Sequence, residues 1–327
     1  MKIFKPEVFQ GNLSAKHYFE GWYFKNVSKE LEHVYSFIPG VSLNPENPHA
    51  FIQVINGITG QTQYIEYPLS SFSFSRNDFK VQVGESVFTS DSILLNIDSP
   101  LINVSGRLGF SGTVKYPASL LSPGIMGWYS FVPFMECKHA VVSVTHRIDG
   151  CITINNEQFD FSGGHGYIEK DWGKSFPESW IWLQSNNFAN SDASIMMSIA
   201  KIPWLGSYFT GFLCFLYQGG HFYSFSTYEK SEIIHLSQTD EKLLIILRNK
   251  KFQLEVSAQL SQSGILLAPK HGAMNRRIKE SVDSELEVEL SDIEGHEVFH
   301  DVAHRAGLEV IEGIFDLVKI KPNKKIS

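Results

Sequence analysis

Ala140-Val-Val-Ser-Val-Thr-His-Arg-Ile148 alternates apolar and polar side chains over nine positions, and the same period of two returns in Lys251–Leu260 (KFQLEVSAQL) and Leu286–Leu290 (LEVEL). Successive side chains of an extended chain point to opposite faces, so this alternation is the mark of a half-buried strand. Between such runs stand Asn56-Gly57, Asp149-Gly150, Asn155-Asn156, Gly219-Gly220 and Glu294-Gly295, dipeptides that accept the left-handed backbone of tight hairpins. Lys242–Arg248 has helix-compatible composition but sits between strand-like runs and is read as strand. No long amphipathic helix competes with these elements, and the chain is expected to be all-β, built of antiparallel sheets or barrels.

Composition agrees. Aromatic residues make up 13% of 327 residues, with 25 Phe, 12 Tyr and 6 Trp, and bulky rings pack well on pleated surfaces. A hydrophobic share of 43% and a charged share of 19% exclude a disordered chain. Lys and Arg number 28 against 35 Asp and Glu, a net charge of -7, and no dense basic stripe is present, so nucleic acid is excluded as an expected partner. The basic run Lys319–Lys325 reads as a solvated terminus. Cys137, Cys151 and Cys214 are odd in number and widely spaced, which fits reduced thiols and neither a disulfide framework nor a CxxC metal pair. Residues 1–24 include Lys5, Glu7, Lys16 and Glu20 without a continuous apolar core, so no secretory leader is expected. Trp204–Tyr217 is too short and interrupted to span a bilayer. The expected location is the cytoplasm, with peripheral contact to a membrane surface left open.

Three ordered matches suggest an internal duplication. Glu20–Phe24 aligns with Glu178–Trp182, Val104–Gly112 with Val256–Gly264, and Ser143–Gly150 with Val288–Gly295, at offsets of 158, 152 and 145. The shrinking offset is what a longer connection in the first half would produce, and the Pro- and Gly-rich Tyr116–Lys138 supplies one. Two similar β-domains follow, residues 1–165 and 166–327, with the break near 165 to 178.

Common catalytic signatures are missing: there is no GxSxG, HExxH or GxGxxG. Gly173-Lys174-Ser175 lacks the first glycine of a phosphate-binding loop, where Ile168 stands. His296, His300 and His304 share a strand face, but their surroundings read as a solvated strand more readily than as a ligand set, and no metal is expected. The densest chemistry lies between Tyr167 and Asn186. On an extended segment Tyr167, Glu169 and Asp171 share one face and Lys170 and Trp172 the other; further on, Trp180, Trp182, Gln184 and Asn186 share a face. The second face, aromatic and amide-bearing, suits an apolar ligand with a polar head. Its duplicate sets Glu20, Trp22 and Phe24 on one face and Tyr23 opposite. Core filling by the rings, with the carboxylates as turn formers, is the structural alternative.

Phe19-Glu-Gly-Trp-Tyr-Phe24, Tyr167-Ile-Glu-Lys-Asp-Trp-Gly173, Phe176-Pro177 and Trp180-Ile-Trp-Leu-Gln-Ser-Asn186 resemble the motifs of the tocopherol cyclase family, and weaker similarity reaches Ala268-Pro269 and Glu285–Glu289. Ser185 stands where the plant motif usually carries Cys, and the first half is shorter. The resemblance implies two tandem lipocalin-like antiparallel β-barrel domains, as in related carotenoid hydratases, and ring closure on a prenylated hydroquinone without a cofactor. Such a reaction needs a proton delivered to an alkene carbon, a cation tolerated briefly and water kept out. An acid held neutral by burial and aromatic faces that stabilise a cation would meet those needs. Glu169, Asp171 and Glu20 are the candidate acids, Asp171 preferred for its neighbour Trp172, on the premise that two adjacent carboxylates raise each other's pKa. Trp22, Tyr23, Tyr167, Trp172, Trp180, Trp182, Gln184 and Asn186 are the candidate ligand contacts. The expected partner is a hydrophobic small molecule, cyclised, hydrated or isomerised; a non-catalytic carrier of the same ligand is the alternative.

Overall fold

The computed structural model describes residues 2–133, 135–204, 206–261, 264–311 and 313–315. The Lys319–Lys325 run therefore lies outside the described residues. Among these, the regular elements are strands and four short 3-10 turns, with no α-helix. Among the described residues no helix is long and apolar enough to cross a membrane.

The first sheet contains β1 (Phe19–Val27), β2 (Val34–Asn44), β3 (Asn47–Asn56), β4 (Thr62–Pro68), β5 (Phe72–Phe74), β6 (Lys80–Val83), β7 (Ser86–Thr89), β8 (Ser92–Asp98), β9 (Asn103–Val114), β10 (Cys137–Ile154), β11 (Glu157–Asp160) and β12 (His165–Gly173). The second contains β13 (Trp180–Ser185), β14 (Ala193–Trp204), β15 (Ser207–Gln218), β16 (His221–Ser226), β17 (Glu232–Gln238), β18 (Lys242–Arg248), β19 (Phe252–Gln259), β20 (Gly264–Lys270), β21 (Ala273–Asp292) and β22 (Glu297–Val310). Their orders are β4-β3-β2-β1-β12-β10-β9-β8-β7-β6-β5 and β16-β15-β14-β13-β22-β21-β19-β18-β17, with β11 and β20 attached to β10 and β21. Each is a lipocalin-like antiparallel meander whose last long strand returns to pair with its first. Closure into a ring is not among the described pairings.

The two orders correspond, and all three internal matches fall on equivalent strands: β1 with β13, β9 with β19, β10 with β21. The faces do not correspond. Trp22 and Phe24 lie in the first core with Phe37, Val54, Val81, Phe88 and Ile168. In β13 it is Ile181 and Leu183 that enter the second core, with Ile195, Phe225, Leu254 and Leu308. Trp180 and Trp182 point away from that core. Placing Trp22 over Trp180 is thus off by one residue, a slip that exchanges the two faces of a strand.

The chain divides into two compact units, Met1–Phe176 with Ser263–Lys279, and Pro177–Gln262 with Glu280–Ser327. This differs from a division at 165 because β12 pairs with β1 on one side and β10 on the other. It differs again at residues 263–279, which return to the first unit. There the Gln53 amide exchanges two 3.0 Å hydrogen bonds with the backbone of Leu267, and Ser42 Oγ donates to Gly272 O at 2.7 Å. The Asp149-Gly150 signal also differs: both residues continue β10, and Gly150 takes φ +126° within the strand, where the backbone of Arg107 leaves no room for a side chain. Asn155-Asn156 and Gly219-Gly220 are tight turns with positive φ at both residues.

Candidate active site

Strands β1, β12 and β10 lie side by side, and their two faces carry separate polar groups. On the core face, the Lys170 ammonium and the Glu20 carboxylate form a fully buried ion pair. Lys170 also donates to Pro6 O at 2.7 Å and Val8 O at 2.6 Å, and its Nζ sits 4.7 Å and 4.8 Å from the rings of Trp22 and Trp172. Glu20 accepts from Gln10 N at 2.8 Å, Gly11 N at 3.0 Å and Tyr18 Oη at 2.5 Å. Trp22 Nε1 donates to Glu7 O at 2.8 Å. Burial pushes the Lys170 ammonium down to about 8, with Glu20 opposing the shift. The group therefore stays charged at neutral pH. These residues strap the segment 6–11 across the first core, and Glu20 is committed as an acceptor. Its oxygens are taken up by these donors on the core side, and Trp22 is a core residue.

The opposite face holds the other two candidate acids. Strand register sets His139 directly across from Asp171, with Glu169 two residues along. His139 Nδ1 lies 3.0 Å from Asp171 Oδ1, and His139 Nε2 lies 3.8 Å from Glu169 Oε2. Tyr167 Oη donates to Glu169 Oε2 at 2.7 Å. Tyr23, paired in register with Glu169, stands on the same face and accepts from Ser36 Oγ at 3.1 Å. The result is a row of groups, Asp171, His139, Glu169, Tyr167, in which Glu169 and Tyr167 are buried and Asp171 and His139 are partly exposed. This corrects the expectation of two carboxylates acting on each other alone: an imidazole stands between them. Burial disfavours the imidazolium, but Asp171 and Glu169 outweigh it and raise His139 to about 9. Burial, reinforced by Glu169, raises the Tyr167 phenol well above its ordinary value. Burial and Asp171 likewise raise the Cys137 thiol, leaving it unreactive. Trp172 is on the far face and cannot wall Asp171.

His139 was not among the expected residues. Its only sequence signal is the alternation of β10, and nothing local says which strand β10 joins. One ligand atom each from His139, Glu169 and Asp171 would lie within 4.8 Å of one another, as would atoms of the exposed Asp292, Glu294 and His296. In the first set Asp171 is hydrogen-bonded to Nδ1, while Nε2 faces Glu169 across 3.8 Å, beyond hydrogen-bond reach, and makes no hydrogen bond among the described residues. His300 pairs with Glu287 at 3.4 Å and His304 with Glu285 at 3.2 Å, so the three spaced histidines each have their own acid and do not converge.

In the second unit, Trp180, Trp182, Gln184 and Asn186 do share a face, as the alternation requires, and all four are buried. The Trp180 indole N–H donates to the Glu309 carboxylate. Gln184 Nε2 and Asn187 Nδ2 donate to Asn186 Oδ1 at 3.5 Å and 3.3 Å. Gly307 is opposite Gln184 in register, and a Cβ built on it would meet the Trp182 ring at 2.6 Å. The missing side chain lets the indole lie on β22. Glu309 and Glu280, paired in register and both buried, were not anticipated from sequence.

A cavity of about 110 Å³ opens in the first unit between Pro6, Gln10, Met126, Lys138 and Trp172. It has room for a few waters only and is well below the ~300 Å³ at which drug-sized sites begin.

The profile of the Tocopherol cyclase-like family matches residues 113–312. A protein of Oryza sativa subsp. japonica named "Probable tocopherol cyclase, chloroplastic" is 30% identical over 103 residues, covering 30% of this chain and 22% of that protein. "Tocopherol cyclase, chloroplastic" of Zea mays is 29% identical over the same length and coverage. The match thus spans about a fifth of these curated relatives. Among solved structures, CghA with Sch210972 is similar in fold, with a TM-score of 0.57 at 11% identity over 90% of this chain and 88% of the other.

Proposed function

The chain belongs to the tocopherol cyclase-like family, and from that premise we propose that it is an acid-assisted enzyme of the cyclase or hydratase type, acting on a hydrophobic unsaturated molecule of the prenylated quinol class. The observation that carries this reading is the partly buried row Asp171, His139, Glu169, Tyr167. In the resting protein the mobile proton sits on His139, stabilised by two carboxylates. An apolar substrate that displaces water from this face lowers the local dielectric and favours the neutral pair over the ionic one. Once substrate binding closes the 3.8 Å between His139 Nε2 and Glu169 Oε2 to hydrogen-bond distance, the proton passes to that oxygen and gives a neutral carboxylic acid beside the alkene. Asp171 keeps the imidazole oriented through Nδ1, and the Tyr167 hydroxyl donates to the same Glu169 oxygen, Oε2, that faces His139.

Glu169 gives its proton to one alkene carbon while the substrate's phenol oxygen bonds to the other, and the phenolic proton returns to the carboxylate. No electrons are exchanged, and the product is an isomer of the substrate. Admitting a water in place of the phenol oxygen turns the same step into hydration. Tyr23, on the face of Glu169, offers a ring to the transient cation. Trp180, Trp182, Gln184 and Asn186 are proposed as ligand contacts on the second unit.

The test is to incubate the protein with a prenylated hydroquinone and follow it by mass-resolved chromatography. A product of equal mass and shifted retention supports cyclisation, and a gain of one water supports hydration. Glu169→Gln should lower turnover ~100-fold or more while leaving ligand binding nearly intact. An unaltered ligand that co-purifies would favour a carrier, and full activity in Glu169→Gln and His139→Gln would overturn the relay.

A further inference from the structure

The longest connection in the first unit, between β9 and β10, carries no charged residue from Tyr116 to Met135, twenty consecutive positions. An uncharged run of that length normally lies inside a protein. Here Ile125 and Met126 are buried, but the apex of the run is displayed. Ser119 N donates to Ser122 O at 2.7 Å and Ser122 N to Ser119 O at 3.2 Å, closing a tight turn whose two central residues are Leu120 and Leu121. Those leucines are 80% and 82% exposed. The reciprocal bonds hold the turn shut, so the side chains have no local route back to the core. Trp128 and Phe131 follow at 50% and 47% exposure, and Phe131 makes an edge contact with the half-exposed Phe4 at 6.5 Å.

The charges around this patch have one prevailing sign. In the two segments that carry it, the exposed charged residues are Lys2, Lys5 and Lys115, whereas Glu7 and Glu136 are half-buried. The adjoining turn, which Lys5 reaches through Asn77 O at 2.9 Å, adds Arg76 and Asp78, which offset each other. A cationic rim is unexpected in a chain of net charge -7. Apolar residues at a loop apex, an interfacial Trp and lysines at the edge are together complementary to an anionic bilayer surface: hydrocarbon for the leucines, headgroup level for the indole, phosphate for the ammonium groups.

We propose that the Tyr116–Met135 loop, with Phe4, docks the first unit onto an anionic lipid bilayer, inserting Leu120 and Leu121 past the headgroups. The docking rests on the loop and its rim and is independent of the reaction assigned above.

The test is flotation of the full chain with vesicles of equal parts phosphatidylcholine and phosphatidylserine. Wild type should float, less well with phosphatidylcholine alone and less well as salt is raised. Leu120→Ser with Leu121→Ser should lower the partition coefficient on the order of 10-fold or more. Both side chains are in solvent, so folding should be unaffected, as far-UV circular dichroism would verify. Turnover of a short, water-dispersible substrate should also be unchanged in this variant, which keeps failure of docking distinct from failure of the catalytic reading. Trp204→Ser with Tyr208→Ser, which alters an exposed apolar hairpin tip of the second unit, should float like wild type. Wild type that stays unbound would overturn the proposal, as would a leucine variant that floats unchanged. A dimer in light scattering that the leucine substitutions dissociate would also overturn it, since the patch would then seat a second copy.

Discussion

Replacing His139 by Asn should delete one stretch of the protein's pH dependence. Asn keeps a donor toward Asp171 and removes the titration. In the folded wild type the imidazole is raised from 6.5 to about 9, which at 1.36 kcal/mol per unit corresponds to ~3 kcal/mol of stability. The sign follows from which state holds the proton. Below 6.5 both states are protonated, and the full contribution is present. Between 6.5 and about 9 the unfolded chain has released its proton while the folded protein keeps it, so stability falls as pH rises, and above about 9 the contribution is gone. Urea unfolding followed by fluorescence across this window should show the wild-type midpoint dropping by ~1 M relative to His139→Asn. Turnover should fall over the upper end of the same range as the relay loses its proton. Parallel stability curves for the two proteins would refute the placement of a charged imidazole between Asp171 and Glu169.

Glu20→Gln should destabilise the first unit by ~3–5 kcal/mol in urea titration, because the buried Lys170 ammonium loses its anionic partner, yet leave turnover per folded molecule intact. Glu20→Leu with Lys170→Met should cost less than the single change, since it removes both charges. Gly307→Val should lower stability by ~1–3 kcal/mol by forcing the Trp182 indole off β22. Trp182→Ala should relieve much of that cost in a double-mutant cycle, and a cycle with no coupling would remove the packing argument.

Alternation identified the strands because it is local chemistry, and the strand assignment at Lys242–Arg248 needed nothing more than its neighbours. The same rule says nothing about which face is the core when both are buried, and that is the condition of β1, β12 and β13. Every residue of β13 is buried, as are eight of nine in β1. Polarity then ceases to mark the inside, and an alignment by motif can slip one residue without any local penalty, as Trp22 and Trp180 did.

Long-range pairing explains the remaining differences at the site. Two carboxylates spaced by one residue looked like mutual perturbers, but a strand thirty residues earlier in the chain inserts an imidazole between them. Its register there passes through two bulges, between Val141 and Ser143 and between Ser143 and His146. Each bulge shifts the pairing by extra residues, so the position of His139 opposite Asp171 depends on backbone irregularities that composition does not announce. Glu20 shows the converse. Its motif places it near acids and tryptophans, and it does meet Trp22, Trp172 and Lys170, but on the core face, where a saturated set of donors makes it a strap for residues 6–11. The motif therefore serves two purposes back to back across one sheet. Glu20, Trp22, Lys170 and Trp172 fix the strands from the inside, and Tyr23, Tyr167, Glu169 and Asp171 interleave with them on the other side, so that one motif supplies both the stability of the sheet and the groups of the proposed relay.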